Sequence, residues 1–115
     1  MPLPVLIHNP RCSKSRAAKA LLEERGAQFE LRFYLENPLT RAELAELRRR
    51  LGRPAREWTR RGESVFAAAG LGPESDDATL LDAIAAHPEL LERPILVRDE
   101  RAVVGRPPER ILELL

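Results

Sequence analysis

The sequence predicts a single α/β domain in the order strand–helix–strand, then helices, then two strands and a last helix. Two short apolar runs near the N-terminus flank a helical segment, and two more near the C-terminus are separated by a tight turn. A strand–helix–strand succession within about 30 residues is typical of a βαβ unit. The length of 115 residues and a hydrophobic fraction of 43% suffice for one domain with one core.

The first strand and helix are predicted on either side of a proline turn. Residues Pro4–His8 form an apolar, β-branched run typical of a buried strand, and Asn9-Pro10 ends that run. Ser13 or Ser15 can then cap a helix that continues to about Arg25, because apolar residues recur there at helical spacing.

The second strand follows a glycine that ends this helix. Gly26 is typical of the position after a helix C-terminus. Residues Gln28–Leu35 alternate, with Phe29, Leu31 and Phe33 on one side and polar residues on the other. That alternation predicts a second strand.

The middle of the chain has only helical patterns. A capping box at Thr40–Glu43 predicts the start of the first of these helices. Further helices are predicted within residues 55–70, around Trp58, and at residues 80–86.

The C-terminal part predicts a hairpin followed by a helix. Pro94–Arg98 and Arg101–Val104 are apolar runs joined by the two-residue turn Asp99-Glu100. Pro107-Pro108 is typical of a helix start. The residues of this last helix that we expect to face the core are Ile111, Leu112 and Leu115.

The composition argues against several classes of protein. With 19 basic and 18 acidic residues the net charge is +1, which argues against a nucleic-acid-binding surface over the whole molecule. Only Lys14 and Lys19 are lysines, so the other 17 basic residues are arginines, whose planar forks suit oxyanions. No apolar run approaches the roughly 20 residues of a membrane span, and the N-terminus lacks a signal-peptide pattern. We expect a soluble cytoplasmic protein without nucleic-acid or membrane partners.

Cys12 is the only cysteine, and it lies in the turn between the first predicted strand and helix. A thiol at a helix start faces unpaired backbone N–H groups and the positive end of the helix dipole. Arg11, Lys14 and Arg16 add positive charge within the same segment. These features favour the nucleophilic thiolate and also make an oxyanion site. We interpret the loop as a nucleophile beside an anion site; the alternative is an inert buried cysteine.

The lone cysteine restricts the chemistry of the loop. Ser15 stands where the second cysteine of a C-x-x-C motif would be, so a disulfide of Cys12 requires an outside thiol such as glutathione or a partner protein. One cysteine and two distant histidines, His8 and His87, predict no metal site. His8 lies four residues before Cys12, where it could stabilise the thiolate when protonated or make an ordinary hydrogen bond.

The other arginines have ordinary interpretations when pattern alone is considered. Arg93-Pro94 precedes a strand, where proline is allowed, and its peptide bond could be cis or trans. Arg106 is typical of a solvated corner. Arg60-Arg61 ends a basic stretch that begins at Arg41 and is typical of a solvated helix face. Trp58 is the only aromatic residue in that stretch, which therefore lacks a stacking platform for nucleic acid.

Four segments together resemble the glutathione- and glutaredoxin-dependent arsenate reductase (ArsC) family, to which the Spx-type regulators are related. Ile7–Arg16 resembles the active-site loop of that family, and Tyr34–Pro38 resembles its second landmark. Arg93–Val97 and Gly105–Glu109 resemble the third and fourth. The four occur in the order and spacing of the family. The segment Arg11–Ser15 is more basic than in the best-studied members.

The resemblance implies a fold and a set of site residues. The fold is a thioredoxin-like βαβ…ββα domain with a helical insertion at about residues 39–92, and Arg93-Pro94 carries its cis-proline. Cys12 would be the nucleophile, with His8 near its sulfur and the Ser15 hydroxyl supporting the thiolate. The residues implied at the oxyanion are Arg60 (or its neighbour Arg61), Arg93, Arg106 and the loop residue Asn9, to which the charge of the loop adds Arg16.

The implied activity is the reduction of arsenate to arsenite, an oxidoreductase reaction used in arsenic resistance. Cys12 would attack arsenate, and glutathione would then attack the adduct, leaving a Cys12–glutathione disulfide that glutaredoxin resolves. The substrate is arsenate or a similar oxyanion. Glutathione is a co-substrate, and no bound cofactor is implied.

Two other functions stay open. Spx-type proteins bind RNA polymerase and sense oxidation, although they typically have a second cysteine where this chain has Ser15. A different glutathione-linked thiol oxidoreductase, with Cys12 attacking a mixed disulfide, would use the same loop. Binding of RNA polymerase in a pull-down would favour the first of these functions, and activity on glutathionylated peptides without arsenate would favour the second.

Overall fold

The computed structural model describes residues 3–115 and has the predicted α/β order of elements. The strands are β1 (Val5–His8), β2 (Glu30–Phe33), β3 (Ile95–Arg98) and β4 (Arg101–Val104). The α-helices are α1 (Ser13–Glu24), α2 (Arg41–Leu51), α3 (Ser64–Ala68) and α4 (Asp77–Ala86). Short 3-10 helices cover Ala55–Trp58, Pro88–Leu90 and Pro108–Leu114.

The strands form one sheet in the order β2-β1-β3-β4. β1 is parallel to β2, as a strand–helix–strand unit requires, whereas β3 is antiparallel to both β1 and β4. β2 is shorter than the alternating segment of residues 28–35, because only Glu30–Phe33 pair with the four residues of β1. Phe33 is 40% exposed, so the apolar side of this strand is only partly covered.

The chain divides into two compact units. The part that we call the sheet unit comprises the chain up to Asn37 together with Arg93–Leu115, and the helical unit comprises Pro38–Glu92. The helical unit begins within one residue of the insertion expected at residues 39–92 and ends with it. That the two units form a single domain stays a prediction.

The core of the sheet unit is formed by α1, the sheet and the last 3-10 helix. The expectation that Leu115 faces this core is wrong, because Leu115 is 44% exposed whereas Leu114 is 6% exposed. A 3-10 helix has three residues per turn, so Ile111 and Leu114 share its inner face. The buried residues of the cluster are Leu6, Ala18, Leu22, Leu96, Val103, Ile111 and Leu114.

The helical unit is built around α2 and α4, which pack against each other. The capping box is confirmed: the Thr40 hydroxyl accepts the Glu43 N–H at 3.1 Å, and the Glu43 carboxylate accepts the Thr40 N–H at 2.9 Å. α4 begins at Asp77, earlier than predicted, because the Asp76 side chain caps it. No helix in residues 3–115 has the length and apolar character needed to cross a membrane.

Candidate active site

The Cys12 loop joins the end of β1 to the start of α1, and its backbone is held by hydrogen bonds. The Cys12 N–H donates to the Asn9 carbonyl, and the Arg16 N–H donates to the Cys12 carbonyl, both at 3.0 Å. Cys12 is therefore the N-cap residue of α1, and its side chain makes no capping bond. The prediction that Ser13 or Ser15 caps this helix is wrong, because both lie inside its first turn.

The thiol of Cys12 is partly buried among groups that favour its anionic form. Burial by itself raises the pKa of Cys12. Hydrogen bonds from the backbone N–H of Ser15, the Arg93 side chain and the backbone N–H of Lys14 lower it, as does the charge of Arg93. The net result is a pKa below the ordinary value of a cysteine, so the thiolate is more accessible than in an ordinary cysteine, in the direction that the position of the loop predicts.

Two arginines of the sheet unit lie at this sulfur. Arg106 Nη2 is 3.9 Å from Cys12 Sγ, and Arg106 Nε donates to the Arg93 carbonyl at 2.9 Å. The Arg93 side chain also interacts with the thiol. Arg93 precedes β3 and Arg106 follows β4, so the β3–β4 hairpin brings both guanidinium groups to one place. An oxyanion bound at the sulfur would meet two arginines and the N-terminal amides of α1.

His8, Ser15 and Asn9 form a buried hydrogen-bond network beneath the loop. His8 Nδ1 is 2.6 Å from Ser15 Oγ, and the same oxygen accepts the Asn9 N–H at 3.0 Å. Asn9 Oδ1 accepts the backbone N–H of Arg11 at 3.0 Å. The network therefore fixes the loop on both sides of its proline. The Ser15 hydroxyl is engaged here, while its backbone N–H faces the thiol; a role of that hydroxyl at the thiolate stays a prediction.

His8 is buried, and that burial favours its neutral form. Burial lowers the pKa of His8, and the positive charge of Lys19 lowers it further. Of the two roles considered for His8, the hydrogen bond to Ser15 is therefore favoured over a charged partner of the thiolate. The His8 ring also packs edge-on against Phe33, with 5.8 Å between the ring centroids. No group of three or more His, Cys, Asp or Glu within residues 3–115 is arranged to hold a metal ion.

Arg16 is directed at the loop itself. Its Nη1 donates to the Pro10 carbonyl at 3.0 Å, on the exposed surface. The side chain thus ties the first turn of α1 to the loop. Binding of the oxyanion by Arg16 stays a prediction.

Arg60 belongs to the helical unit, where it is paired with carboxylates. Its Nη1 is 3.1 Å from Glu92 Oε1, and its Nε is 3.4 Å from Glu63 Oε1. Arg61, its neighbour, is exposed. A role of Arg60 at the oxyanion stays a prediction, and an anion there would compete with Glu63 and Glu92.

Two of the X-Pro peptide bonds near the site are cis. Arg93-Pro94 is cis, as the family resemblance implied, and Arg106-Pro107 is cis as well. The second cis bond has no signal in the sequence, since Pro107 reads equally well as a helix start. The contact of Phe33 with His8 was missed as well, because the alternation of β2 predicts only which face a residue occupies.

Comparison with known proteins relates the whole chain to one family. The model of the ArsC family matches residues 7–114. An arsenate reductase of Neisseria meningitidis is 47% identical over 117 residues, covering 100% of both chains. An uncharacterised protein of Escherichia coli, YfgD, is 42% identical over 96% of this chain and 94% of its own. The structure of an arsenate reductase from Vibrio cholerae superposes with a TM-score of 0.92 at 40% identity, covering 100% of both chains.

Proposed function

Because this chain belongs to the ArsC family, whose thioredoxin-like fold it has, we propose that it reduces arsenate to arsenite with Cys12 as the nucleophile. The observation that carries this proposal is the Cys12 thiol, which lies among the first amides of α1 and two arginine side chains. Relatives named arsenate reductase that match over their full length support it.

Arsenate binding requires fixed positive charge, because arsenate is an anion at neutral pH. The guanidinium groups of Arg93 and Arg106 would each donate charge-assisted hydrogen bonds to its oxygens. The backbone N–H groups of Lys14 and Ser15 that favour the thiolate would also stabilise negative charge developing on the transferred group. The family resemblance implies Arg60 as a third arginine, and its role at the anion is part of the proposal.

The first step is attack of the Cys12 thiolate on arsenic. An S–As bond forms and one As–O bond breaks, and the departing oxygen takes up protons and leaves as water. The arsenic remains As(V) in the resulting thiol–arsenate adduct. The lowered pKa of Cys12 serves this step, because the thiolate is the attacking species.

The second step uses an outside thiol, because the chain has no second cysteine. The thiolate of glutathione attacks the sulfur of Cys12, and the electron pair of the S–As bond stays with arsenic. Arsenic is thereby reduced from As(V) to As(III), and the two sulfurs are oxidised to a mixed disulfide. Glutaredoxin then attacks the glutathione sulfur and releases the Cys12 thiolate. The reaction needs no resident cofactor, and the reducing cytoplasm supplies the thiols.

A coupled assay tests this proposal. Purified protein is mixed with glutathione, glutaredoxin, glutathione reductase and NADPH, and NADPH oxidation is followed as arsenate is added. We expect turnover that requires arsenate, glutathione and glutaredoxin, and that is lost in Cys12→Ser.

Two outcomes would redirect the proposal. Absence of arsenate turnover in folded protein, combined with Cys12-dependent turnover of a glutathionylated peptide, would favour a different glutathione-linked oxidoreductase. Specific retention of RNA polymerase by the immobilised protein, again without turnover, would favour an Spx-like regulator.

A further inference from the structure

Gly105 lies against Pro94, at the ends of the β3–β4 hairpin that carry Arg93 and Arg106. Gly105 follows β4 and is buried, and its N–H donates to the Pro94 carbonyl at 2.8 Å. Pro94 precedes β3 and is itself fully buried. This bond therefore joins the residue after Arg93 to the residue before Arg106.

There is no space for a side chain at this position. A Cβ atom on residue 105 would lie 2.8 Å from Pro94 Cγ and 3.0 Å from Ile111 Cγ2. Both neighbours are held in the core: Pro94 has a rigid ring, and Ile111 is 0% exposed. The close approach alone requires glycine here, since Gly105 is not among the glycines with positive φ.

This contact joins the neighbours of the two arginines at the sulfur: Pro94 follows Arg93, and Gly105 precedes Arg106. Arg106 Nε donates to the carbonyl of Arg93 at 2.9 Å, and Arg106 Nη2 lies 3.9 Å from Cys12 Sγ. A side chain on residue 105 would push β4 away from Pro94, and the Arg106 guanidinium would move with it.

We infer that Gly105 is a positioning residue, whose missing side chain sets Arg106 against Arg93 and Cys12 so that the two arginines can bind one oxyanion. The inference rests on the proposed function for the identity of that anion. The placement of Arg106 at the sulfur does not depend on arsenate turnover.

The test compares Gly105→Ala with Gly72→Ala, each in the wild-type and the Arg106→Ala backgrounds. Gly72 is a matched control, because no atom lies within 4 Å of a Cβ built there and its φ is not positive. Two properties are measured: the rate of Cys12 alkylation by iodoacetamide as a function of pH, and the arsenate concentration that protects Cys12 by half.

In the wild-type background we expect Gly105→Ala to raise the protecting arsenate concentration about tenfold or more, the value of one charge-assisted hydrogen bond. We also expect the alkylation profile to move to higher pH. In the Arg106→Ala background the same substitution should change the protecting arsenate concentration less than about twofold and should leave the alkylation profile nearly in place. The reason is that the Arg106 guanidinium, which the substitution displaces in the wild type, is absent there. Gly72→Ala should behave as its parent in both backgrounds.

Equal effects of Gly105→Ala in both backgrounds would overturn the inference, because a general loosening of the fold does not depend on Arg106. No effect in either background would overturn it as well, because the added Cβ would then not displace Arg106. If Gly105→Ala does not fold, Gly105→Ala/Ile111→Ala is compared with Ile111→Ala, since removal of Ile111 Cγ2 relieves one of the close contacts. If arsenate does not protect the wild-type protein, the proposed substrate is wrong, and the alkylation profiles alone decide the role of Gly105.

Discussion

Cys12 and Arg106 are 94 positions apart in the sequence, yet Arg106 Nη2 lies 3.9 Å from Cys12 Sγ. The thiol is delivered by the start of α1 and the guanidinium by the end of the β3–β4 hairpin. The Arg93 carbonyl holds the Arg106 side chain by accepting from its Nε. The site of the sheet unit therefore depends on strand pairing as much as on the loop that contains the cysteine.

Replacing Arg93 tests the electrostatic support of the thiol. Arg93→Ala removes a hydrogen bond and a positive charge that lower the pKa of Cys12, so the pH midpoint of alkylation should rise. Arsenate affinity should fall about 10- to 150-fold, which corresponds to about 1.5–3 kcal/mol for one charge-assisted hydrogen bond. Arg101→Ala, an exposed arginine of β4, is the control. Identical alkylation profiles for Arg93→Ala and Arg101→Ala would contradict the role of Arg93.

Alanine substitution of each residue in turn distinguishes the roles of Arg60 and Arg61. If Arg60 is the third arginine of the oxyanion site, Arg60→Ala should weaken arsenate binding by a similar factor of about 10 to 150. Arg61→Ala should leave binding nearly unchanged, since Arg61 is exposed. Affinity is measured by protection of Cys12 from alkylation. A loss on Arg61→Ala alone would assign the role to Arg61 instead.

The lowered pKa of His8 predicts that the free energy of unfolding depends on pH. Its folded pKa is lowered, so the unfolded chain binds a proton at a pH where the folded chain does not. The contribution of neutral His8 to the free energy of unfolding is complete above the unfolded pKa of about 6.5. It is lost as the pH falls through the lower folded pKa. Urea midpoints measured between pH 7.5 and 5 should therefore fall less steeply in His8→Asn than in the wild type. Parallel curves would contradict a buried neutral His8.

The capping box of α2 is tested in the helical unit. Thr40→Ala removes the hydroxyl that accepts the Glu43 N–H and should cost about 1 kcal/mol of unfolding free energy. Thr40→Ser keeps a capping hydroxyl and should cost much less. Chemical denaturation followed by circular dichroism measures both. Equal losses in the two variants would show that the methyl group of Thr40, rather than its hydroxyl, supports the helix.

The last 3-10 helix allows a paired test of its inner face. Leu114→Ala should cost about 2–5 kcal/mol, because Leu114 is buried in the core of the sheet unit. Leu115→Ala should stay within about 0.5 kcal/mol of the wild type, because Leu115 is largely exposed. Denaturant unfolding gives both values. The reverse order would contradict the 3-10 geometry of this segment.

Much of the fold could be predicted because its signals are local. The apolar runs of β1 and β3, the capping box at Thr40 and the glycine after α1 each depend on a few neighbouring residues. The start of α1 was placed wrongly because Ser13 and Ser15 have capping side chains. In the fold, Ser15 bonds to His8 instead, and no local rule predicts that choice.

The site could be predicted only in part. The charge and position of the loop indicated a reactive Cys12, and the neighbouring amides that favour its thiolate belong to the same helix start. Pattern alone indicates a solvated corner for Arg106, and only the family resemblance implies it at the oxyanion, because its approach to the sulfur requires the pairing of β3 with β4. The space requirement at Gly105 had no signal either, since glycine at the end of a strand also fits a simple turn.

The central claim is that Cys12 reduces an arginine-bound arsenate and is left joined to glutathione. The most direct test is a single turnover without glutaredoxin, in which protein, glutathione and either arsenate or phosphate are mixed and the intact protein is weighed by mass spectrometry. In the reaction with arsenate we expect one glutathionyl group on Cys12 and an equal molar amount of arsenite. In the reaction with phosphate we expect neither product. Arsenite formed without the adduct, or an adduct formed equally with phosphate, would contradict the claim.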